Sequence, residues 1–364
     1  MIKPKPALTP KELIALLKQR NLIIEDEKSA EFFLQTISYN RFSSYRFPFL
    51  KDYKQNKEDY NGIATFNNIS TLINNDLILK TNIFNITRGI ELLLRSQINT
   101  QFGQNNPLIY LYHKNYTNNP FNQQNLKFET LQKNNEKINK LISTLKYPEH
   151  ITSFKEYFHD KNNLNCDNCK FKQCNDKSHF QPIFSATEHL TFNQLIHLYK
   201  YINLNTEKQS IIEFILTFKK NSPKPNSIFF NFKDLVVLFS DIASLRNTVS
   251  HHDKIILRYK FPSISDSSLI FLKSYISTKY DQKSSPILHQ IIKNNRKSFL
   301  NYYLMLKYFT ILLTQNNNLN YIKDSFNNIT NIFNDNFDYL ISEEFKNKTK
   351  PNDITIIKSI LTQI

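Results

Sequence analysis

The stretch Leu235 to Lys254, LVVLFSDIASLRNTVSHHDK, decides how this chain is read. At about 100° per residue, Leu235, Leu238, Ile242, Leu245 and Val249 fall within one narrow arc, which predicts a helix with one buried face. In its last turns Arg246, Asn247, Ser250 and His251 share an adjoining arc that no apolar residue of those turns interrupts. A helix that buries one side and gathers a guanidinium, an amide, a hydroxyl and an imidazole on the next presents polar chemistry. His252 lies about 100° from His251, toward the core edge, and reads as structural.

Outward from this helix, the 364 residues have room for two or three compact units. The 47 Lys and Arg against 31 Asp and Glu leave a formal charge of +16. That excess points to a polyanionic partner, nucleic acid first. A chain rich in Asn, Ile, Phe and Tyr from an AT-rich genome would also carry surplus lysine, so charge alone leaves both readings open. The only three glycines, Gly62, Gly89 and Gly103, stand too far apart for a phosphate-cradling loop, which argues against Rossmann and P-loop nucleotide binding. No apolar run approaches the roughly 18–20 residues of a membrane span, and MIKPKPALTPKE lacks the apolar stretch of a signal peptide. We expect a cytoplasmic protein with no membrane partner.

Helical periodicity dominates the rest, so the fold class is all-α. Pro10 to Arg20 has Thr9 as N-cap, proline at the first helical position and Glu12 at the third. Asp26 to Ile37 follows with acids at its start, where the helix dipole favours them. Tyr39, Arg41, Phe42, Tyr45, Arg46, Phe47 and Phe49 then interleave aromatic and basic side chains. Arg41, Tyr45 and Arg46 either hold single-stranded RNA by stacking and charge or pack and pair within the lobe. Asn67 to Phe102 reads as one long helix or two in series, with Arg88, Glu91 and Arg95 on one stripe. Helical spacing returns at 126–146, 151–157, 188–202, 207–218, 286–293, 299–314, 319–333 and 354–361.

All three cysteines, Cys166, Cys169 and Cys174, lie within nine residues, and His179 follows in a Cys-x2-Cys-x4-Cys-x4-His pattern. Three thiolates and an imidazole satisfy tetrahedral zinc, and a polar loop with so few apolar residues needs such a staple. His159 is the rival fourth ligand. A closed four-ligand site leaves no position for water, so the expected Zn2+ is structural. The order of ligands departs from the zinc knuckle it otherwise resembles. Lys170 and Lys172, between the ligands, are placed to touch a phosphate backbone.

Arg246-Asn247-Thr248-Val249-Ser250-His251 resembles the signature of HEPN nucleases, all-helical RNA-cutting domains whose motif is Arg, a polar residue, variable positions, then His. Leu13 to Pro48 resembles the N-terminal block of the Abi-like abortive-infection proteins, the AbiD/AbiF group, in LLKQRNLIIED, in the Tyr39-Asn40-Arg41-Phe42 turn and in the Ser-Tyr-x-x-Pro ending. Asp76 to Ser96 and Glu188 to Leu198 are similar to that family's following segments. The resemblance implies an HEPN helical-bundle core over 67–262 carrying a zinc-binding insertion at 159–181. An N-terminal helical lobe (1–66) would precede it, and the helical spacing beyond the reach of the resemblance reads as a C-terminal helical accessory lobe (263–364). The resemblance also implies that the Arg88 and Arg95 stripe lines an RNA cleft opposite the Arg246 helix, where its composition alone reads equally well as an ion-paired row.

Cutting RNA without a metal requires removing a proton from a 2′-OH, stabilising charge on the phosphoryl oxygens and protonating the leaving 5′ oxygen. His251 suits the proton transfers and Arg246 the phosphate, while Asn247, one turn before His251, orients the imidazole or binds phosphate. One such motif supplies one histidine, and the resemblance implies that two chains complete a composite site as a homodimer. The expected function is a metal-independent endoribonuclease of antiphage defence, toxic when released and held by an antitoxin or a structured small non-coding RNA. The alternative is a non-catalytic protein that holds such an RNA in the same cleft.

Overall fold

The computed structural model describes residues 7–52, 58–104, 109–111, 113–124, 126–146, 183–217, 230–251, 253–258, 261–280, 284–314, 319–340 and 354–355. Among them the structure is helical, with three isolated β-bridges, Ile23 to Thr65, Leu50 to Tyr60 and Tyr116 to Ile202. The chain divides into two compact units, one made of residues 1–84, 249–261 and 325–364, the other of 85–248 and 262–324.

In the first unit, α1 (Pro10–Gln19) starts at the predicted cap. The Glu12 amide donates to Thr9 Oγ1 at 3.3 Å, and Glu12 Oε2 takes the Thr9 amide at 2.7 Å, satisfying two donors that a helix start leaves open. Leu13, Ile14 and Leu17 form its buried side. α2 (Glu27–Thr36) packs on α1 and is capped by Asp26, whose carboxylate takes the Lys28 and Ser29 amides. α3 (Tyr39–Ser44) is a short helix in the aromatic and basic stretch, and its Phe42 stacks on Phe66 at 4.8 Å. Periodicity did not resolve this element, because six residues span under two turns.

Phe66–Gly103 is one continuous helix of 38 residues, α4, which begins in the first unit and enters the second at residue 85. Its apolar stripe, including Ile69, Ile73, Ile83, Ile90, Leu94 and Ile98, is fully buried. Gly89 lies where other helices approach: a Cβ there would meet Ile322 Cδ1 at 2.5 Å and Leu313 Cδ1 at 3.1 Å, so these side-chain tips would have to shift to admit one.

The second unit continues with α5 (Phe128–Lys146), α6 (Ile183–Ala186), α7 (Phe192–Tyr201) and α8 (Asn205–Ile215). α9 (Phe232–Ser250) is the helix that organised the sequence reading, and Leu235, Leu238, Ile242, Leu245 and Val249 are all buried as their spacing predicts. Asn231 caps its start, trading hydrogen bonds with Asp234 at 2.9 and 3.1 Å. Farther along, Asp241 Oδ2 accepts from the Ser265 amide at 3.0 Å and from Ser268 Oγ at 2.7 Å. That carboxylate ties α9 to the first turn of α10 (Asp266–Lys279). α11 (Ser284–Asn294) and α12 (Phe299–Thr314) follow, then α13 (Asn320–Asp335), which passes into the first unit, and α14 (Phe337–Leu340). The Phe192, Phe239, Phe309, Phe271 and Tyr308 rings join α7, α9, α10 and α12 in one aromatic core with centroids 4.9–6.2 Å apart.

Helix α10 is absent from the sequence reading. Its residues Ser268, Leu269, Phe271, Leu272, Ser274, Tyr275 and Ile276 are buried on several sides at once, so no single apolar stripe marks it.

Candidate functional site

The C-terminal end of α9 carries the predicted polar group. Arg246 and Asn247 are half-buried, Thr248 is buried with its hydroxyl donating to the Ser244 carbonyl at 3.0 Å, and Ser250 and His251 are exposed. The core face thus anchors the helix while its last turn offers the imidazole to solvent. His252 lies outside the described residues.

Arg246 has a carboxylate beside it. Its Nη2 lies 3.7 Å from Glu91 Oε2 on α4, and the other Glu91 oxygen pairs with Arg95 Nη2 at 2.9 Å. Glu91 therefore orients one arginine loosely and the other tightly. The Arg246 side chain is 29% exposed although its Nε is buried, so part of it lies at the surface, where an anionic group of a ligand can share it with Glu91. The Arg95 side chain is only 8% exposed and donates to the Thr187 and Leu190 carbonyls, the latter at 3.0 Å. Arg95 holds down the turn that leads into α7, while Arg88, two turns earlier on α4, is exposed. Of the three residues on that stripe, Arg88 and Glu91 are therefore the ones at a surface or beside Arg246. Glu91, which the sequence offers only as one member of that stripe, is the residue that meets Arg246. Its signal was an acid between two arginines on one helical stripe.

In the first unit a second polar cluster centres on Asp76, which has no exposed surface. Its Oδ1 accepts the Ile255 and Ile256 amides at 2.7 and 2.8 Å, while Oδ2 accepts the Tyr45 hydroxyl at 2.5 Å and faces Lys80 Nζ at 2.6 Å. This carboxylate fixes the backbone that follows His251. Lys254 closes the other side, donating to the Ser44 carbonyl at 2.9 Å beneath the Tyr45 and Phe47 rings. Burial pulls the Lys80 and Lys254 ammonium groups below their usual range, with Asp76 opposing the shift in both. Burial, then the Asp76 charge, pushes the Tyr45 phenol up.

The interleaved residues Arg41, Tyr45 and Arg46 are therefore drawn together in one unit. Tyr45 is buried on Asp76, Arg41 is half-buried beside the Tyr45 hydroxyl, and Arg46 pairs with Glu58 at 3.2 Å. The zinc pattern Cys166, Cys169, Cys174 and His179, its rival His159, and Lys170 and Lys172 lie outside the described residues. So does the predicted helix at 151–157.

The family model of Abi-like proteins matches residues 32–256, well over half of the chain. The chain belongs to the Abi-like protein family. No curated protein and no solved structure matches it. The Abi-like region begins in α2 and takes in Tyr45, Asp76, Lys80, Glu91, Arg95, Arg246 and His251. It ends at Ile256, the second of the two residues whose amides Asp76 holds. Membership brings abortive infection, the role its name carries, and no described helix is long and apolar enough to cross a membrane.

Proposed function

We propose that this Abi-like protein is a metal-independent endoribonuclease of the HEPN type, in the AbiD/AbiF group, acting as an abortive-infection effector. The observation that carries the reading is the end of α9, where Arg246 sits against Glu91 and an exposed His251 follows within five residues. His251 takes the proton from a ribose 2′-OH. That oxygen attacks the adjacent phosphorus, the bond to the 5′ oxygen breaks, and the products are a 2′,3′-cyclic phosphate and a 5′-hydroxyl. Arg246 stabilises the charge on the non-bridging oxygens with its planar fork of donors. Asn247, one turn before His251 on α9, orients the imidazole or the phosphate. The leaving oxygen needs an acid, and the second copy in a homodimer supplies that histidine. A structural zinc on Cys166, Cys169, Cys174 and His179 staples the insertion and takes no part in the step.

The test is to incubate the full-length protein and its His251→Ala and Arg246→Ala variants with total RNA in EDTA. Cleavage by wild type alone, leaving 2′,3′-cyclic ends, is the expected result. An RNA that co-purifies with an inert wild type would instead favour a protein that holds a structured small RNA, with the +16 charge serving affinity alone. Metal analysis should return one zinc per chain, lost in Cys166→Ser. A fully folded protein without zinc would remove that part of the reading.

A further inference from the structure

The second unit contains a basic cluster that the α9 motif does not use. It lies at the other end of that helix. The Phe102, Tyr199, Phe232 and Phe121 rings form a continuous row, with centroids 6.4, 5.3 and 5.8 Å apart. Cations crowd its Phe121 end. Lys200 Nζ lies 5.1 Å from the Phe121 centroid and 5.0 Å from that of Tyr201, Lys233 Nζ lies 5.7 Å from Phe121, and Lys208 Nζ lies 3.9 Å from Phe232.

The scaffold under these lysines is tied together. The Tyr201 hydroxyl donates to Asn134 Oδ1 at 2.9 Å, joining α7 to α5, and Asn134 Nδ2 donates to the Asn118 carbonyl at 2.7 Å. The Thr117 amide donates to the Tyr201 carbonyl at 2.9 Å, which fixes the loop that carries Phe121. Lys137, on the same α5 helix as Asn134, adds its charge beside His197 and Lys200.

Lys200 is half-buried, and among the described residues the charge that acts on it is that of another lysine, Lys137. Burial and then Lys137 pull its ammonium below the usual range, and burial, Lys137 and Lys200 bring the His197 imidazole down to about 4. The half-buried Lys200 carries a desolvation cost with another lysine for a neighbour, and an anion offsets that cost on binding, while Lys137 and Lys233 stand exposed beside it.

We propose that Lys137, Lys200 and Lys233 form a second subsite, which holds phosphates of the single-stranded RNA that the α9 motif cuts. Lys233 stands 13 residues before Arg246 on α9, ~20 Å along the helix axis, so the subsite grips the strand several nucleotides from the scissile bond. This rests on the nuclease reading for its ligand, and it explains how a single-arginine motif gains affinity.

The experiment measures anisotropy of a labelled single-stranded RNA on full-length His251→Ala protein across a salt series. Lys137→Gln/Lys200→Gln/Lys233→Gln in that background should weaken binding at least tenfold. Each lost phosphate contact lowers the slope of log affinity against log salt by about 0.7, so three lower it by about 2. Lys11→Gln/Lys28→Gln/Lys323→Gln removes the same charge from exposed lysines elsewhere and should leave the slope unchanged. Equal losses in the two triples, or wild-type affinity in the first, would overturn the subsite. Protein without His251→Ala that binds but does not cut would refute the nuclease reading and leave the subsite standing. Protein that cuts while the first triple binds normally does the reverse.

Discussion

Replacing Asp76 by asparagine probes the anchor behind His251. Asp76 is fully buried, and its two oxygens serve the Ile255 and Ile256 amides, the Tyr45 hydroxyl and the Lys80 ammonium. An amide of the same shape has one accepting oxygen, so its NH2 must confront either the two backbone donors or the lysine. It also leaves Lys80, whose side chain is 7% exposed, with only the smaller pull of Asp253 in place of its paired carboxylate. Stranding one partner of a buried ion pair costs about 3–5 kcal/mol, and an unmet buried donor about 1–3. These penalties overlap, and we expect Asp76→Asn to lose about 4 kcal/mol. If the stranded cation is the main cost, Asp76→Asn/Lys80→Met should recover at least about 2 kcal/mol of it. Urea unfolding followed by far-UV circular dichroism and by tyrosine fluorescence reads this directly, since the chain has 19 tyrosines and no tryptophan. A double variant no more stable than Asp76→Asn would refute the reasoning and leave the backbone amides as the main creditors of that carboxylate.

Arg95→Met should cost about 3 kcal/mol of stability, because it leaves the Thr187 and Leu190 carbonyls and Glu91 without their donor. RNA affinity of the fraction that folds should stay at the wild-type level in a binding titration. Glu91→Gln keeps the shape but removes the charge beside Arg246, so kcat/KM for cleavage should fall about tenfold while RNA binds as well or better. For Lys208, burial brings the ammonium from 10.5 down to about 7. Between those values the unfolded chain holds the proton more tightly than the folded one, so wild-type stability rises with pH across that window. Lys208→Met should therefore stabilise the fold most at pH 7 and below, by as much as ~4 kcal/mol, with the gain fading toward pH 10.5 in melts across the range.

Sequence carried the local structure well where the signal was local. Thr9, Pro10 and Glu12 announce α1, and the Leu235 to Val249 arc identifies both α9 and its buried face. The long apolar stripe of α4 is equally plain, though periodicity could not tell one helix from two. The partners of the polar residues were not legible. Asp76 meets Ile255 across 179 residues, and Arg95 meets Thr187 across 92, and no spacing rule links such pairs. An arginine bound to buried carbonyls and one facing solvent look alike in a sequence. Lys200 of α7 and Lys233 of α9, which meet at Phe121, and Lys137 of α5, whose charge reaches Lys200, are scattered in the chain and come together only once those helices pack.

The first unit is assembled from residues 1–84, 249–261 and 325–364, and this has a consequence during synthesis. At about 5–20 residues per second, on the order of 10 to 30 s separates the emergence of residue 84 from that of residue 249. Through that interval Asp76 on the nascent chain has no Ile255 or Ile256 amide to hold. The wait then extends to Phe333, Phe337 and the Tyr339 carbonyl that receives the Leu257 amide at 3.0 Å. The backbone just beyond His251 is therefore locked into place only after residues 325–340 have emerged, and a ribosome that stalls before residue 325 releases a chain whose first unit has no completed core.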